Sequence, residues 1–359
     1  GPRHGCNCTE AAVRIMNVML GRGLGGLEQA LLDYTLALTR CGHEVHTVIH
    51  PDAALRPALE ARGVAPHTVA HAGAWDPLAA ARLRRLLRRS RPDISIAHGN
   101  RAVSLLRLAG AAPMGAVVAN YKIRCGGVAA AFCPTLDLKR HAAGQGLPAS
   151  CAYHIPYMVE VPPAPPRHER GVPPVIATMG RFVAKKGFDV FIEALGGLRS
   201  DGIAFRAVLA GDGPERAALE GLSAARGLRD VLRFPGWVTD KAAFFAGSDL
   251  FCLPSHHEPF GIVLIEAMAH ARPVVATDSE GPVEILRDGI DGLVVPRGDA
   301  ARMAQALGAL IADPAGAEQL AANAYRQAQR TYDVPRVGER LDLAVREVVE
   351  RARRLEATA

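Results

Sequence analysis

Short apolar runs alternate along the first half of the chain with longer segments in which apolar residues recur every three or four positions. The first pattern is typical of buried strands and the second of helices packed on a sheet. The predicted strands are 13–20, 45–50, 93–97 and 115–119, and the predicted helices are 27–39, 76–90 and 101–109. Strands that alternate with helices in this way predict a parallel sheet with helices on both faces.

The alternation breaks at residues 161–174, which hold six prolines in fourteen residues, and then resumes. Because proline fixes φ and donates no backbone hydrogen bond, this stretch predicts a semi-rigid linker. The second half has predicted strands at 175–179, 205–210, 231–235, 249–253, 273–276 and 292–295, and predicted helices at 187–198, 214–226, 261–270, 299–312, 315–329 and 334–355.

A chain of 359 residues exceeds the usual size of a single core, so two domains are expected. We predict an α/β protein with two Rossmann-like, doubly wound parallel-sheet domains that face a cleft. Ligands of such folds bind outside the carboxyl ends of the strands. The first domain is predicted at 13–160 and the second at 175–335, with the proline-rich linker at 161–174.

The composition is that of a globular protein, with 49% hydrophobic and 22% charged residues and a mean hydropathy of +0.09. No apolar run reaches the roughly 20 residues that span a bilayer, and no secretory signal pattern opens the sequence. The segment up to about Ala12 is expected to be disordered. A cytoplasmic location is therefore expected.

The seven cysteines show no repeated C-x-x-C spacing, which favours free thiols in a reducing compartment over zinc binding or a disulfide framework. The pair Cys6 and Cys8 is too isolated to predict a site. The cysteines are at positions 6, 8, 41, 125, 133, 151 and 252.

The formal net charge of +6 is unevenly distributed, because six arginines fall within ten residues of one predicted helix. They are Arg82, Arg84, Arg85, Arg88, Arg89 and Arg91. One interpretation is a solvated helix face, and the other is a patch that docks on anionic lipid or on an anionic acceptor. Nucleic acid is not an expected partner, since aromatic residues make up only 5% of the chain and no nucleic-acid motif is present.

The loop after the first strand, Gly21 to Gly26, matches the G-x-G-x-x-G pattern, and Asp52 follows the second strand. That arrangement is typical of a dinucleotide fold. Any strand-to-helix turn that packs against a phosphate also favours glycine, however. Glu28 then stands near the start of the predicted helix, where an acid also suits the helix dipole.

In the second half, Arg181 and Lys186 are placed five positions apart in the loop after a predicted strand. Two fixed cations there could neutralise a diphosphate leaving group, or could be solvated surface charge. His98 ends a strand of the first domain, where a structural and a catalytic role are both open. The adjacent His256 and His257 point to opposite sides of an extended chain, so a shared metal is not expected.

The segment from Glu258 to Glu266 carries two carboxylates eight positions apart, with Gly261 between them. It follows an apolar run that predicts a buried strand, so a helix should start within it. A helix start after a strand presents free backbone N–H groups to an anion. If those groups hold a phosphate, the carboxylates can bind hydroxyls, a combination that suits a nucleotide-sugar.

These motifs and their order resemble the family 4 glycosyltransferases, retaining enzymes of the GT-B fold. The order is Gly25-Gly26-Leu-Glu28, His98, Gly180-Arg181-x4-Lys186, Gly211-Asp-Gly-Pro214 and Glu258-x7-Glu266 with Gly261. The similarity runs from about Val13 through almost the whole chain. It implies that the first domain is on the acceptor side, that the second binds the nucleotide-sugar, and that a C-terminal helix at 336–359 crosses back to the first domain.

The resemblance also implies roles for individual residues. Arg181 and Lys186 would stabilise the negative charge on the departing diphosphate. Glu258 would bind donor-sugar hydroxyls and Glu266 the ribose, while His98 would touch the donor sugar and help to stabilise an oxocarbenium-like transition state. The remaining donor-binding positions would be Gly25, Gly26, Gly180 and Gly211 near the diphosphate, Trp237 and Val238 at the base, and the backbone of Phe260, Gly261, Ile262 and Val263 at the sugar and phosphate.

The function implied is a hexosyltransferase-type enzyme that moves a sugar, with retention, from a nucleotide-diphosphate donor to a glycan or glycolipid. UDP or GDP would be the carrier, no metal or other cofactor would be required, and the setting would be bacterial cell-surface polysaccharide or lipopolysaccharide synthesis. Binding as a peripheral protein to the inner membrane face is an accompanying hypothesis. The alternatives are an NAD-dependent oxidoreductase that uses Gly21–Gly26 and Asp52, and a catalytically silent GT-B binding protein.

Overall fold

The computed structural model of the protein describes residues 11–23 and 25–358 and divides the chain into two compact α/β units. Unit 1 consists of the chain up to Met158 and from Val334 onward, and unit 2 is Val159–Asp333. The chain thus leaves unit 1 before the proline-rich segment and returns to it at the start of the last helix. The segment 161–174, predicted as a linker, belongs to unit 2.

Unit 1 contains a seven-stranded parallel sheet of order β3-β2-β1-β4-β5-β6-β7. Its strands are β1 (Arg14–Met19), β2 (Glu44–Ile49), β3 (His67–Thr68), β4 (Ile94–His98), β5 (Met114–Val117), β6 (Ala130–Cys133) and β7 (Ala152–His154). Its first helices are α1 (Gly26–Arg40), α2 (Arg56–Glu60), α3 (Pro77–Ser90), α4 (Asn100–Ala109) and α5 (Leu136–Gly144).

Unit 2 contains a six-stranded parallel sheet of order β10-β9-β8-β11-β12-β13. Its strands are β8 (Val175–Met179), β9 (Arg206–Ala210), β10 (Leu232–Arg233), β11 (Leu250–Leu253), β12 (Val274–Thr277) and β13 (Leu293–Val295). Its helices are α6 (Phe188–Ser200), α7 (Arg216–Ala225), α8 (Lys241–Ala246), α9 (Ile262–Ala269), α10 (Pro282–Ile285), α11 (Ala300–Ala312) and α12 (Pro314–Thr331).

The last helix, α13 (Val334–Thr358), packs within unit 1 against α1. Its buried stripe includes Val337, Leu341 and Val345, which join the apolar layer on one face of the unit 1 sheet. Asp342 in that stripe accepts from His43 Nε2 at 2.7 Å, so the helix is fixed by a buried polar contact as well as by packing. The opposite face of the sheet is covered by α3, α4 and α5.

No helix in the part of the chain that the structure describes is both long enough and apolar enough to cross a bilayer. Among the described residues, Cys125, Cys133, Cys151 and Cys252 form no disulfide. Burial raises the pKa of the Cys133 thiol to about 12, so it is protonated at neutral pH. Cys6 and Cys8 lie outside the described residues.

One buried carboxylate, Asp249, which immediately precedes β11, holds the end of the proline-rich segment. Its oxygens accept from the backbone N–H groups of Gly171 at 3.0 Å and Val175 at 2.6 Å, and from His168 Nε2 at 2.7 Å. A single side chain therefore holds both the end of the segment and the first residue of β8.

We expect Asp249→Ala to lower the free energy of unfolding of unit 2 by about 3 kcal/mol, because two partly buried N–H groups would lose their acceptor. The chain has two tryptophans, one in each unit, so urea unfolding of a Trp75→Phe background reports unit 2 through Trp237. Asp230→Ala, which removes an exposed carboxylate, should leave that transition nearly unchanged. Equal midpoints for the two variants would contradict the role given to Asp249.

Candidate functional site

Two loops at the carboxyl ends of neighbouring strands are joined by their backbones in unit 2. The carbonyl oxygen of Lys185, between β8 and α6, accepts from the N–H groups of His256 at 2.9 Å and His257 at 3.1 Å, between β11 and α9. Gly187 permits this approach, since it has φ +63° and a Cβ there would overlap the carbonyl of Pro254. The side chains that flank this junction are therefore fixed relative to each other.

Lys186 and Glu258 form an ion pair across this junction, with Lys186 Nζ donating to Glu258 Oε2. The Ser255 hydroxyl donates to the same oxygen at 3.3 Å. The side chains of Lys186 and Glu258 are 20% and 10% exposed, so the pair is largely removed from water. Among the described residues, none donates to Glu258 Oε1, which leaves that oxygen available to an incoming hydroxyl.

A second carboxylate, Glu280, accepts a hydrogen bond from the backbone at Glu258 and contacts the side chain of His257. Its Oε2 accepts from the N–H of Glu258 at 3.1 Å and its Oε1 lies 3.0 Å from His257 Nδ1. The next N–H, that of Gly281, donates to the carbonyl of Glu258 at 2.8 Å. Burial acts to raise the pKa of Glu280, but hydrogen bonds from its own N–H, from His257 and from the Glu258 N–H outweigh burial and hold the pKa below its usual range. Glu280 is thus an anionic clamp on Glu258.

The segment after Glu258 turns into helix α9 at Gly261, which has φ +102° and ψ 62°. This left-handed conformation favours glycine, and a Cβ there would press on Leu253 at 3.2 Å. Ile262 and Val263 open the helix, so their N–H groups have no intrahelical acceptor. Phe260 is buried, and its ring meets Tyr332 edge-on. The geometry provides the donor-rich helix start that the sequence predicts.

Glu266 lies one turn into α9, and only 7% of the residue is exposed. Its Oε1 accepts from Lys241 Nζ at 2.5 Å, and its Oε2 is buried without a partner among the described residues. Lys241 is the first residue of the short helix α8, which Asp240 caps by accepting from the Ala243 N–H at 2.9 Å. Glu266 is therefore one half of a second lysine–carboxylate pair with a free acceptor oxygen.

The remaining predicted donor-binding residues of unit 2 lie on the loops that follow β8, β9 and β10. Arg181 is exposed and makes no ion pair with a described residue. Gly211 has φ +132°, and a Cβ there would overlap the carbonyl of Gly180, so these two glycines let their loops touch. Trp237 is 60% exposed and Val238 is half-buried. No contact joins Trp237 to the two lysine–carboxylate pairs, so its predicted role at a base stays a prediction.

In unit 1, Gly25 is the N-cap of α1 and Gly26 its first residue. Glu28 folds back over this loop, since a Cβ on Gly21 would overlap its Oε1 and one on Gly25 would lie 3.0 Å from its Oε2. Burial raises the pKa of Glu28, with a hydrogen bond from its own backbone opposing the shift. The glycines thus make room for the Glu28 carboxylate itself. Leu24, inside the motif, lies outside the described residues.

His98 is buried at the end of β4, where its protonation can be assigned from its neighbours. Asn17 uses its amide hydrogens on the carbonyl of Leu31 at 3.1 Å and the hydroxyl of Thr35 at 3.0 Å, so its Oδ1 faces His98 Nε2 at 2.7 Å. His98 Nε2 therefore carries the proton, and the buried Nδ1 is an acceptor without a partner among the described residues. Burial lowers the pKa of His98 to about 3, so the ring is neutral. Toward a ligand, His98 can therefore offer only this lone pair.

Sequence reasoning missed three residues that the structure adds to the site: Ser255, Glu280 and Lys241. Glu280 follows a predicted strand as Glu258 does, and this position could have indicated that it belongs to the site. Lys241 had none, because a six-residue helix is too short to show a period. Within residues 11–23 and 25–358, no group of three or more His, Cys, Asp or Glu side chains is placed to hold a metal ion.

Comparison with known proteins identifies the family. The family described as Glycosyl transferases group 1 matches residues 165–327, and Glycosyltransferase Family 4 matches residues 24–121. Lipopolysaccharide core biosynthesis glycosyltransferase LpsD of Rhizobium meliloti is 30% identical over 324 residues, which are 86% of this chain and 91% of LpsD. The chain belongs to the family 4 glycosyltransferases. Glycosyltransferase LpsE of the same organism is 44% identical over 140 residues, and this match spans 39% of the chain and 40% of LpsE, less than half of that relative.

Solved structures show that this family 4 chain has the GT-B fold. Anabaena HepE, crystallised with UDP and glucose, has a TM-score of 0.80 at 18% identity, with 93% of this chain and 100% of HepE covered. At that identity the likeness shows the fold alone. The prediction of a family 4 chain with two Rossmann-like GT-B domains is confirmed.

Replacing Lys241 with Met should leave the Glu266 carboxylate buried without a counter-charge, and we expect the unfolding free energy of unit 2 to fall by about 1–2 kcal/mol. Adding Glu266→Gln removes the unpaired charge and should restore part of that loss. Urea unfolding read through Trp237 measures both. If the double variant loses the sum of the two single changes, the two side chains are not coupled.

Proposed function

We propose that the protein transfers a sugar, with retention, from a nucleotide-diphosphate donor to a glycan or glycolipid acceptor. The observation that carries the proposal is the pairing of Lys186 with Glu258 beside the start of α9. One group is a cation suited to phosphate, the other has a free acceptor oxygen suited to a hydroxyl, and the helix start supplies backbone donors. Phosphate and sugar are the two chemistries of a nucleotide-sugar.

The chemistry we propose is electrostatic. As the bond between sugar and diphosphate breaks, negative charge builds on the phosphate oxygens, and Lys186 and Arg181 stabilise it from fixed positions. Arg181 has no carboxylate partner among the described residues, so its charge is not already neutralised. Glu280 holds the Glu258 backbone, which keeps Glu258 Oε1 in place for a donor-sugar hydroxyl. Glu266 Oε2 is the candidate acceptor for a ribose hydroxyl.

Retention follows if the acceptor oxygen attacks the face that the phosphate leaves, with the departing phosphate taking the acceptor proton. In this step the bond from C1 to the phosphate oxygen breaks, the bond from C1 to the acceptor oxygen forms, and the proton moves to the phosphate. The neutral His98 can only accept a hydrogen bond, so we assign it to a donor-sugar hydroxyl and not to general acid chemistry.

The names of relatives support the proposed donor and acceptor classes. HepE was crystallised with UDP and glucose and also with UDP-glucose, which favours UDP as the carrier. LpsD and LpsE are named for lipopolysaccharide core biosynthesis, and a structural relative is the lipopolysaccharide outer core galactosyltransferase WaaB. A bacterial cell-surface glycan or glycolipid is the acceptor class that we propose.

The experiment titrates the full chain with UDP, GDP and NADH. Binding is measured by thermal shift and by Trp237 fluorescence in a Trp75→Phe background. A nucleoside diphosphate at 100 times its Kd should add about 2.7 kcal/mol to stability. Binding of NADH without UDP or GDP would support the oxidoreductase alternative. Binding of UDP or GDP without donor hydrolysis or transfer would favour a catalytically silent protein.

Turnover provides the matched test of the site. Lys186→Ala and Glu258→Ala should each lower donor hydrolysis by about two orders of magnitude or more, since both groups act on charge or position in the transition state. Lys185→Ala is the control, because the Lys185 side chain is exposed and makes no ion pair with a described residue, whereas Lys186 pairs with Glu258. Equal losses for Lys185→Ala and Lys186→Ala would contradict the assignment.

We also propose that α3 binds an anionic membrane surface. Between Pro77 and Ser90 the helix has no acidic residue, and its arginines form no ion pair with a described residue. Three arginines of α13, by contrast, pair with acids four positions away: Arg346 with Asp342, Arg351 with Glu347 and Arg354 with Glu350. At the start of α3, Trp75 is 71% and Leu78 is 68% exposed. Unpaired cations beside exposed apolar side chains suit the interface of an anionic bilayer.

Cosedimentation with phosphatidylglycerol and with phosphatidylcholine vesicles tests this surface. We expect the native chain to bind the anionic vesicles and the double variant Arg85→Glu, Arg89→Glu to bind at least about tenfold more weakly. The double variant Arg336→Glu, Arg354→Glu, on α13, is the control for the same change of net charge. If both vesicle types bind equally, or if the α13 variant weakens binding as much as the α3 variant, α3 is an ordinary solvated helix.

A further inference from the structure

Three side chains of unit 1 contact one another or a shared carbonyl beside the carboxyl end of β1, and the charge of a fourth, Arg22, acts on one of them. His71 Nε2 and Arg101 NH1 both contact the carbonyl oxygen of Leu20, at 3.0 and 3.2 Å. Arg101 NH1 also lies 3.5 Å from His71 Nε2, and the rings of His50 and His71 pack edge-to-face with centroids 5.1 Å apart. The fourth member, Arg22, follows Leu20 by two residues. We call these side chains, Arg22, His50, His71 and Arg101, the β1-end cluster.

The sheet topology explains why these residues meet. Arg22 follows β1, His50 follows β2, His71 lies three residues after β3, and Arg101 is the second residue of α4, which follows β4. These strands are neighbours in the order β3-β2-β1-β4 and run parallel, so their carboxyl ends lie along one edge. This is the edge at which open α/β sheets bind ligands.

One buried donor of the cluster has no acceptor among the described residues. His50 Nδ1 accepts from the Asp52 N–H at 3.1 Å, so in the neutral ring the proton is on Nε2. His50 is 2% exposed, and its Nε2 has no acceptor among the described residues. A buried donor without an acceptor is costly unless a ligand completes it. The missing partner must be a hydrogen-bond acceptor.

The charge of the cluster points to the same partner. Neither Arg22 nor Arg101 makes an ion pair with a described residue. Asp52 is the nearby acid, and it lies 3.6 Å from His50 Nδ1, the ring nitrogen opposite the unfilled Nε2. Burial lowers the pKa of His50, and the charge of Arg22 adds to this effect. A group with negative charge and several acceptor oxygens could accept hydrogen bonds from both arginines and from His50 Nε2.

We propose that the β1-end cluster binds an anionic group, a phosphate or a carboxylate, carried by the acceptor glycan. This inference rests on the proposed function, in which a glycan or glycolipid is the acceptor, and narrows that acceptor to an acidic one. Arg22 and Arg101 supply the charge, and His50 Nε2 supplies the buried donor. The acceptor is thereby held through its charged substituent, which leaves its hydroxyls free to react.

The test compares glucose 6-phosphate, glucuronate and glucose as probes for the full chain saturated with UDP, so that the nucleotide site is already filled. Thermal shift titration should show a rise in Tm with one or both anionic sugars and none with glucose. A response to glucose 6-phosphate alone identifies phosphate as the group, and a response to glucuronate alone identifies carboxylate. Equal responses to all three sugars, or no response to the anionic ones, overturn the proposal.

Variants of one helix give the matched comparison. Arg101→Gln should weaken binding of the anionic probe at least about tenfold, since a charge-assisted hydrogen bond is lost. Arg107→Gln is the control, because Arg107 also belongs to α4 and also donates to a backbone carbonyl, that of Gly126, away from the cluster. Equal weakening by both variants would overturn the assignment.

Two readouts separate this proposal from the proposed function. Hydrolysis of the donor in the absence of acceptor should be unchanged in Arg101→Gln, because the cluster acts on the acceptor only. If UDP fails to bind the native chain while the anionic sugar binds, the transferase proposal fails and the anion site stands. If UDP binds and donor is hydrolysed while the anionic sugars have no effect, the anion site fails alone.

Discussion

The ion pair between Lys186 and Glu258 is the interaction on which the proposed chemistry of unit 2 depends. The side chains of Lys186 and Glu258 are largely buried. A buried ion pair is stable only when the surrounding structure holds the two groups in good geometry. That fixing comes from the carbonyl of Lys185, which joins two loops, and from Glu280, which clamps the Glu258 N–H. The pair orients both groups, and Glu258 Oε1 receives no hydrogen bond from a described residue.

Glu266 and Lys241 form a second lysine–carboxylate pair of the same kind. In both cases a lysine neutralises one oxygen of a largely buried carboxylate while the other oxygen stays unfilled. A buried carboxylate with one free oxygen is an unfavourable element in an unliganded protein, and it is understandable where a hydroxyl is to bind. In the proposed function, the two carboxylates eight positions apart act as two hydroxyl acceptors on either side of a helix start.

Much of this arrangement can be predicted from the sequence, because it depends on local patterns. The βαβ alternation predicts both parallel sheets, and Gly261 marks the left-handed turn before α9. What the sequence does not predict depends on tertiary contacts. The partner of Glu266 comes from a helix of six residues, and Glu280 reaches Glu258 only because β11 and β12 are neighbours in the sheet. The tautomer of His98 follows from Asn17, 81 positions away in the chain.

The central claim is that the Lys186–Glu258 pair and the start of α9 form the donor site. A crystal structure of the full chain with UDP-glucose tests it most directly. The account predicts Lys186 Nζ within hydrogen-bond distance of a phosphate oxygen and Glu258 Oε1 within hydrogen-bond distance of a glucose hydroxyl. A diphosphate bound elsewhere, with neither side chain in contact with the ligand, would contradict it.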